Sequence, residues 1–207
     1  EDAFLGPSFS EKEILIMLRK NQVIYKKLSD KKLVEFVAKQ IHKNKTVGWF
    51  QGRMEFGPRA LGHRSILANV CNKDIKNLLN KKIKHREWFR PYGILIPETM
   101  LPKYFQENIK NPFMLMVGNA KKNKKELIPS AIHYDGTSRL QTITKKTHGL
   151  LFDIVKEFKK MSGIPIIINT SFNDNNDPIA CNPQDAYDCF MKTEMDLLVI
   201  GNFIVKK

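Results

Sequence analysis

Arginine is scarce in this chain of 207 residues, where seven stand against 28 lysines. Cysteine is scarcer. Cys71, Cys181 and Cys189 are an odd number with no C-x-x-C pair and no histidine at metal-ligand spacing. That excludes a disulfide framework and a structural zinc site, and it predicts a reducing compartment. The five histidines, His42, His63, His85, His133 and His148, never fall into an HxxxH or HExxH pattern, so no resident metal site is expected. No apolar run approaches the ~18 residues needed to cross a bilayer. The N-terminus EDAFLGPS has neither the basic start nor the apolar core of a signal peptide. The reading is a soluble, cytoplasmic protein with no membrane partner. Internal repeats and long low-complexity linkers are also absent. The missing initiator Met and the linker-like start predict a piece of a longer polypeptide.

What the chain does have is charge and a core. Its net charge of +14 attracts nucleotides, phosphates, nucleic acid or acidic lipid without choosing among them. A hydrophobic content of 42% is enough for one large domain. Much of the positive charge lies in scattered lysines such as Lys121, Lys122, Lys124 and Lys125, the composition of a solvated turn. The arginines are placed differently. Arg53, Arg59 and Arg64 share GRMEFGPRALGHRS, Arg86 and Arg90 share IKHREWFRP, and Arg139 sits in DGTSRLQT, with only Arg19 outside, on a surface helix. A guanidinium is a rigid fork that grips phosphate or carboxylate bidentately, so this placement predicts oxyanion recognition. Structural ion pairs with Glu55, Glu87 and Asp135 are the plainer alternative for any single arginine.

Strands alternate with helices along the chain. Ser10 and Glu13 form a capping box, and Ile14, Met17 and Leu18 continue a helix to about Asn21. Leu33, Phe36, Val37 and Ile41 mark a second helix behind a Ser29 or Asp30 cap, and Thr46 to Phe50 a buried strand. Gly52, Gly57 and Gly62 make Gln51 to His63 a loop whose backbone can approach a ligand closely. Further strands are expected at Ser65 to Val70, Tyr92 to Ile96, Phe113 to Val117 and Ala131 to Ile143, the last around the Asp135-Gly136 turn. Asn72 caps a helix to about Lys82, and Leu151 to Met161 is a helix stopped by Gly163. Ile164 to Asn169 reads as a buried strand, Asn182-Pro183 with Asp185 as a helix start, and Leu197 to Val205 as a hairpin turning at Gly201-Asn202. This is an α/β domain with a mixed sheet.

Three stretches carry chemistry. Asn80 to Pro91 gathers Lys81, Lys82, Lys84, Arg86 and Arg90 around Trp88 and Phe89. Such a run binds single-stranded nucleic acid by charge and stacking, or holds one nucleotide by its phosphates, while the rings equally suit core packing. The segment NTSFN follows an apolar strand directly, where open α/β sheets present ligand-binding loops; an Asx or Ser-Thr turn uses the same residues. Asp174 to Pro178 reads as a plain turn. His133 and Asp135 have the groups of an acid and a base, but no nucleophile is spaced to join them, and a lone strand histidine is ordinarily structural. Cys181 and Cys189 suit small core positions on or near a helix.

The runs VGWFQGRMEFGPRALGHRSILA, NKKIKHREWFRP, HYDGTSRLQT and GIPIIINTSFN together resemble the C-terminal domain of the O-carbamoyltransferase family of antibiotic-tailoring and nodulation enzymes, over most of residues 46 to 201. The resemblance implies a YrdC-like mixed twisted sheet flanked by helices. It implies a domain at 31–207, with 1–30 a linker and helix from the preceding region. Such a domain converts ATP and carbamoyl phosphate to carbamoyl adenylate, magnesium arriving with the nucleotide. An N-terminal actin-like transferase domain then passes the carbamoyl group to a hydroxyl. The family's Lys-x-Arg and Ser-x-Asn pairs match Lys84, Arg86, Ser171 and Asn173. Arg59 and Arg64 correspond to the substrate-facing loop, with Thr170, Arg90 and Arg139 as further phosphate contacts. The family's Gly-Glu-Pro-Ile-Val-like turn is replaced by Asn176-Asp177-Pro178-Ile179-Ala180, and its Phe-Ala-Pro by Tyr92-Gly93-Ile94. A basic RNA-binding module and a catalytically silent docking domain are the rival readings, with nucleic acid the less favoured partner.

Overall fold

Ser10 and Glu13 start the first helix reciprocally: Ser10 Oγ accepts from Glu13 N, and the Glu13 carboxylate accepts from Ser10 N at 2.7 Å. The computed structural model describes residues 3–175 and 177–207. Its helices are α1 (Glu11–Lys20), α2 (Asp30–His42), α3 (Ile75–Lys82), α4 (Leu101–Tyr104), α5 (Lys145–Ser162) and α6 (Pro183–Lys192). Its strands are β1 (Tyr25–Lys27), β2 (Val47–Phe50), β3 (Arg64–Ala68), β4 (Gly93–Pro97), β5 (Val117–Asn119), β6 (Thr137–Ile143), β7 (Ile167–Ser171), β8 (Leu197–Ile200) and β9 (Phe203–Lys206).

Among the described residues the nine strands form one mixed sheet in the order β1-β9-β8-β2-β3-β7-β4-β6-β5. Only β2 with β8 and β4 with β6 run parallel. The strands read as apolar runs because both faces are covered. Ile66, Ile94, Ile168 and Leu198 face a core completed by α1, α3 and α6, while Leu67, Leu95, Ile167 and Val199 face one completed by α2 and α5. Each such side chain, buried from water, contributes about 1.5–3 kcal/mol. Gly48 in β2 is required by that packing, since a Cβ there would lie 2.6 Å from Phe172 Cζ. Ile14, Met17 and Leu18 of α1 join the first core, and β1 pairs with β9, so the stretch from Ile14 to Lys27 packs on the same sheet.

Several boundaries differ from the sequence expectation. Of the expected strand at Phe113 to Val117, the stretch 113–116 is a loop and β5 begins only at Val117, because Asn111 folds it: Asn111 Nδ2 donates to Met116 O and Leu140 O, and Asn111 Oδ1 accepts from Leu115 N. Strand β6 begins only at Thr137, after a helical turn at Pro129–Ala131 and an Asx turn in which Asp135 Oδ1 accepts from Thr137 N. His133 therefore precedes the strand instead of lying in it. Strand β7 starts three residues later than predicted and runs on to Ser171. Asn72 accepts from Asp74 N, so α3 opens one short turn later than expected. Helix α5 begins at Lys145 behind a Thr144 cap, kinks at Gly149, and ends where predicted, on Gly163 with φ 76°. Of the turn read at Asp174 to Pro178, Asn176 lies outside the described residues.

Candidate functional site

Strand register gathers the arginine motifs at one end of the sheet. β7 runs antiparallel to β3 and β4, and β4 parallel to β6, so the end of β7 meets the starts of the other three. Ser171 lies opposite Ser65, and Gly93 lies between Asn169 and Arg139. The loops 51–63, 83–92, 132–136 and 172–182 therefore converge there.

Lys84 follows α3 and is 2% exposed. Its ammonium donates to Ser171 O (2.6 Å), Ser171 Oγ (3.1 Å), Asn173 O (2.8 Å) and Asn173 Oδ1 (2.7 Å). Lys84 of the Lys-x-Arg pair is thus hydrogen-bonded to both members of the Ser-x-Asn pair, some ninety residues away in sequence. Burial pulls the Lys84 ammonium down from 10.5 to about 7, the Arg86 guanidinium adds to the drop, and Cys189 and Asp174 oppose it. His85, between Lys84 and Arg86, takes a positive φ of 44° and bonds Asp174 Oδ1 at 2.9 Å, which turns its neighbours inward.

Arg86 Nε donates to Asn80 Oδ1 at 2.8 Å, and its guanidinium lies 4.7 Å from the Tyr92 ring centre. Asn80, 1% exposed, also accepts from Tyr92 OH at 2.5 Å and donates to Trp88 O, so one buried amide shapes the whole basic loop. Both Arg86 and Arg139 donate to Pro91 O, at 3.5 and 3.4 Å. Arg139 is mostly buried, and its Nε has no acceptor among the described residues. Burial lowers its pKa first, and Arg59 and Arg86 lower it further. Arg59 and Arg86 thus each sit within electrostatic reach of Arg139, and none of the three makes an ion pair among the described residues. Such an arrangement is stabilised by an anion. His133 stands beside them: burial and Arg139 lower its pKa while the Tyr92 carbonyl opposes, and its Nε2 accepts from Arg139 N at 3.3 Å. This histidine holds the backbone of β6.

Arg64 is placed otherwise than expected. Its side chain is wholly buried; Nη1 donates to Gln51 O (2.6 Å) and His63 O (3.1 Å), Nη2 donates to Gly52 O (3.2 Å) and Pro7 O (3.3 Å), and the guanidinium stacks 3.6 Å from the Phe50 ring centre. A group so occupied closes the glycine-rich loop from within. Burial brings its pKa down to about 10 despite Glu55. Arg90 makes the plain ion pair with Glu87, at 2.9 Å on the surface. Thr170 is half-buried on β7 opposite Ile66, with its hydroxyl unpartnered among the described residues. Core packing for Trp88 and Phe89 is also overturned: they are 67% and 57% exposed, edge to face at 6.0 Å, because Asn80 holds their loop out from the sheet.

Sequence reasoning passed over the supports of this site. Glu55 Oε1 accepts from Leu61 N (2.7 Å), His63 N (2.7 Å) and Arg64 N (3.1 Å), folding the loop that carries Arg59. Beneath that loop Asn169 Nδ2 donates to Ala60 O and Gln141 Nε2 to Leu61 O, and the two amides bond each other at 2.9 Å. Polar residues inside otherwise apolar strands were the available signal. A cavity of about 270 Å³ lies beside Asn173, but Asp177, Asp185 and Asp188 line it, which disfavours phosphate there. Among the described residues no group of His, Cys, Asp or Glu could hold a metal ion, and no helix is long and apolar enough to cross a membrane.

Sheet order and two helical layers define a mixed α/β domain with a cationic site at the strand ends. The family model for the carbamoyltransferase C-terminus matches residues 38–207, and the chain belongs to that family. It is 41% identical over 164 residues to nodulation protein NolO of Bradyrhizobium diazoefficiens, covering 78% of this chain and 30% of NolO. It is 36% identical over 227 residues to protein sll1178 of Synechocystis, covering 99% of this chain and 37% of that one. The chain thus spans about a third of the length of these curated relatives. Among solved structures, full-length HypF in its phosphate- and nucleotide-bound form matches with a TM-score of 0.57 at 17% identity, over 83% of this chain and 25% of HypF. Sua5 of P. abyssi complexed with L-threonine matches with a TM-score of 0.55 at 16% identity, over 86% and 48%. The fold is YrdC-like.

Proposed function

We propose that this domain binds ATP and carbamoyl phosphate and forms carbamoyl adenylate, which an actin-like partner domain of the longer protein passes to a hydroxyl acceptor. The convergence of Arg59, Arg86 and Arg139 without a carboxylate partner carries the reading. Membership of the carbamoyltransferase C-terminus family, kinship with a nodulation protein and a fold shared with nucleotide-bound HypF support it.

In this reading carbamoyl phosphate first loses its phosphate to water, leaving carbamate. A carbamate oxygen then attacks the α-phosphorus of ATP, forming the mixed anhydride and expelling pyrophosphate. The step needs positioning and charge neutralisation and no side-chain nucleophile. Arg59, Arg86 and Arg139 hold the phosphates bidentately, with Arg90 free to swing in from its surface pair. Lys84 sits where Ser171 and Asn173 fix it, and a phosphate nearby restores its full charge. Ser171, Asn173 and the free Thr170 hydroxyl offer donors to the ribose or phosphate. The site residues are cationic, so magnesium would enter only with the triphosphate, where it would neutralise charge on the departing pyrophosphate.

Incubation with ATP and carbamoyl phosphate, followed by mass spectrometry and pyrophosphate assay, tests the reading. Carbamoyl adenylate and pyrophosphate are expected together, each dependent on both substrates. Folded protein that releases neither overturns it. The exposed Trp88 and Phe89 in a basic loop favour RNA binding as the second reading. That alternative predicts nucleotide-independent RNA affinity falling steeply with salt.

A further inference from the structure

Residues 3–7 lie across the glycine-rich loop and bond it repeatedly. Gly6 N donates to Met54 O (2.9 Å), Met54 N to Pro7 O (2.8 Å) and Phe56 N to Ala3 O (2.6 Å), the pattern of two paired extended segments. Arg53 grips the same segment from the other partner, with Nε donating to Gly6 O (3.1 Å) and Nη2 to Leu5 O (2.6 Å). Phe4 stacks on His63 with ring centres 3.7 Å apart. Approach this close needs glycine at position 6, where a Cβ would lie 2.9 Å from Met54 Cβ and 3.0 Å from Met54 O. Position 6 stands outside residues 38–207, matched to the family.

Arg59 lies between two anchors of that loop. On its far side Leu61 N is held by Glu55 and Leu61 O by Gln141. On its near side the anchor is Phe56 N on Ala3 O, three residues away, and Gly57 then turns with φ 120°. We propose that the segment 3–7 is a strap that positions Arg59 for its anion, and that Arg53 belongs to the motif for holding this strap. The inference rests on the nucleotide reading above. Fixing a donor before the ligand arrives removes its ordering cost from binding, and a loosened near anchor returns that cost. The strap thereby makes the nucleotide affinity of the domain answerable to whatever pulls on its N-terminal segment.

The test is a double-variant cycle on the 207-residue chain, with ATP affinity by calorimetry and amide exchange across 51–63. Gly6→Val is expected to speed exchange at Met54 and Phe56 and to weaken ATP about fivefold to tenfold. Added to Arg59→Ala, it is expected to weaken ATP no further, because the strap acts through Arg59. If Gly6→Val fails to fold, Arg53→Ala runs the same cycle, since it removes two side-chain bonds and keeps the backbone pairing. ATP affinity unchanged in the strap variants, or lowered equally with and without Arg59, overturns the strap while leaving the nucleotide reading intact. Wild-type protein that binds no ATP overturns both.

Discussion

Replacing Lys84 by methionine should abolish a pH dependence of stability that the wild type carries. The ammonium is buried and held near 7 in the folded chain, against 10.5 for an ordinary lysine. Between those values the unfolded chain binds a proton that the folded chain lacks. Protons then favour unfolding, and stability rises with pH. Well below 7 both states are protonated and the dependence vanishes. Two-state linkage with these values gives the wild type a gain of about 2 kcal/mol from pH ~6.5 to ~8.5. For a chain of this size that corresponds to roughly 4–8 °C in Tm. Lys84→Met keeps the length of the stem and loses the titration, while the remaining titrating groups are common to both proteins and cancel in the difference. Urea unfolding across this window measures it. Parallel profiles would refute the argument, since they would mean that the oxygens of Ser171 and Asn173 hold the ammonium charged throughout.

Two arginines of one motif should behave oppositely. Arg64→Met leaves Gln51 O and Gly52 O without a donor, while His63 O and Pro7 O keep Gln51 N and Met54 N, and at about 1–3 kcal/mol for each orphaned carbonyl it is expected to lose about 2–6 kcal/mol in urea unfolding. Arg59→Ala is expected to unfold within about 0.5 kcal/mol of the wild type and yet to bind ATP about tenfold to a hundredfold more weakly. Arg86→Lys is expected to weaken ATP although the charge is kept, because a point charge lacks the fork, and the Arg19→Lys control on α1 leaves the affinity unchanged. Equal calorimetric affinities for Arg86→Lys and Arg19→Lys would refute the reading of arginine placement.

The elements written in local signals were legible in the sequence. Ser10 with Glu13 and Asn182 with Asp185 are both capping boxes in the structure, and Gly163 ends α5 where it should. The strands with two apolar faces were also legible, because periodic burial needs no distant partner to be recognised. Elements that depend on a distant side chain were misread. The apolar stretch from Phe113 is a loop because Asn111 bonds across to Leu140, and the indole of Trp88 stands in solvent because Asn80 bonds its carbonyl. Family resemblance set Lys84, Arg86, Ser171 and Asn173 around one nucleotide, and the bonds from Lys84 to Ser171 and Asn173 emerged only in the structure. The resemblance assigned Arg64 to a substrate, whereas composition cannot tell a guanidinium that grips carbonyls from one that awaits phosphate. Their separation needed the path of the 51–63 loop and of Pro7 around the Arg64 guanidinium.

Arg139 decides the central claim. Its buried Nε has no acceptor among the described residues, its Nη2 reaches only Pro91 O at 3.4 Å, and Arg59 and Arg86 bear on it with like charge. Calorimetric titration of ATP with magnesium into the wild type and Arg139→Ala, at one salt concentration and with both proteins shown to be folded, tests directly whether Arg139 meets an anion. The account predicts binding by the wild type and a loss of about tenfold or more in the variant. Equal affinity in the two proteins, or no binding by the wild type, would contradict it.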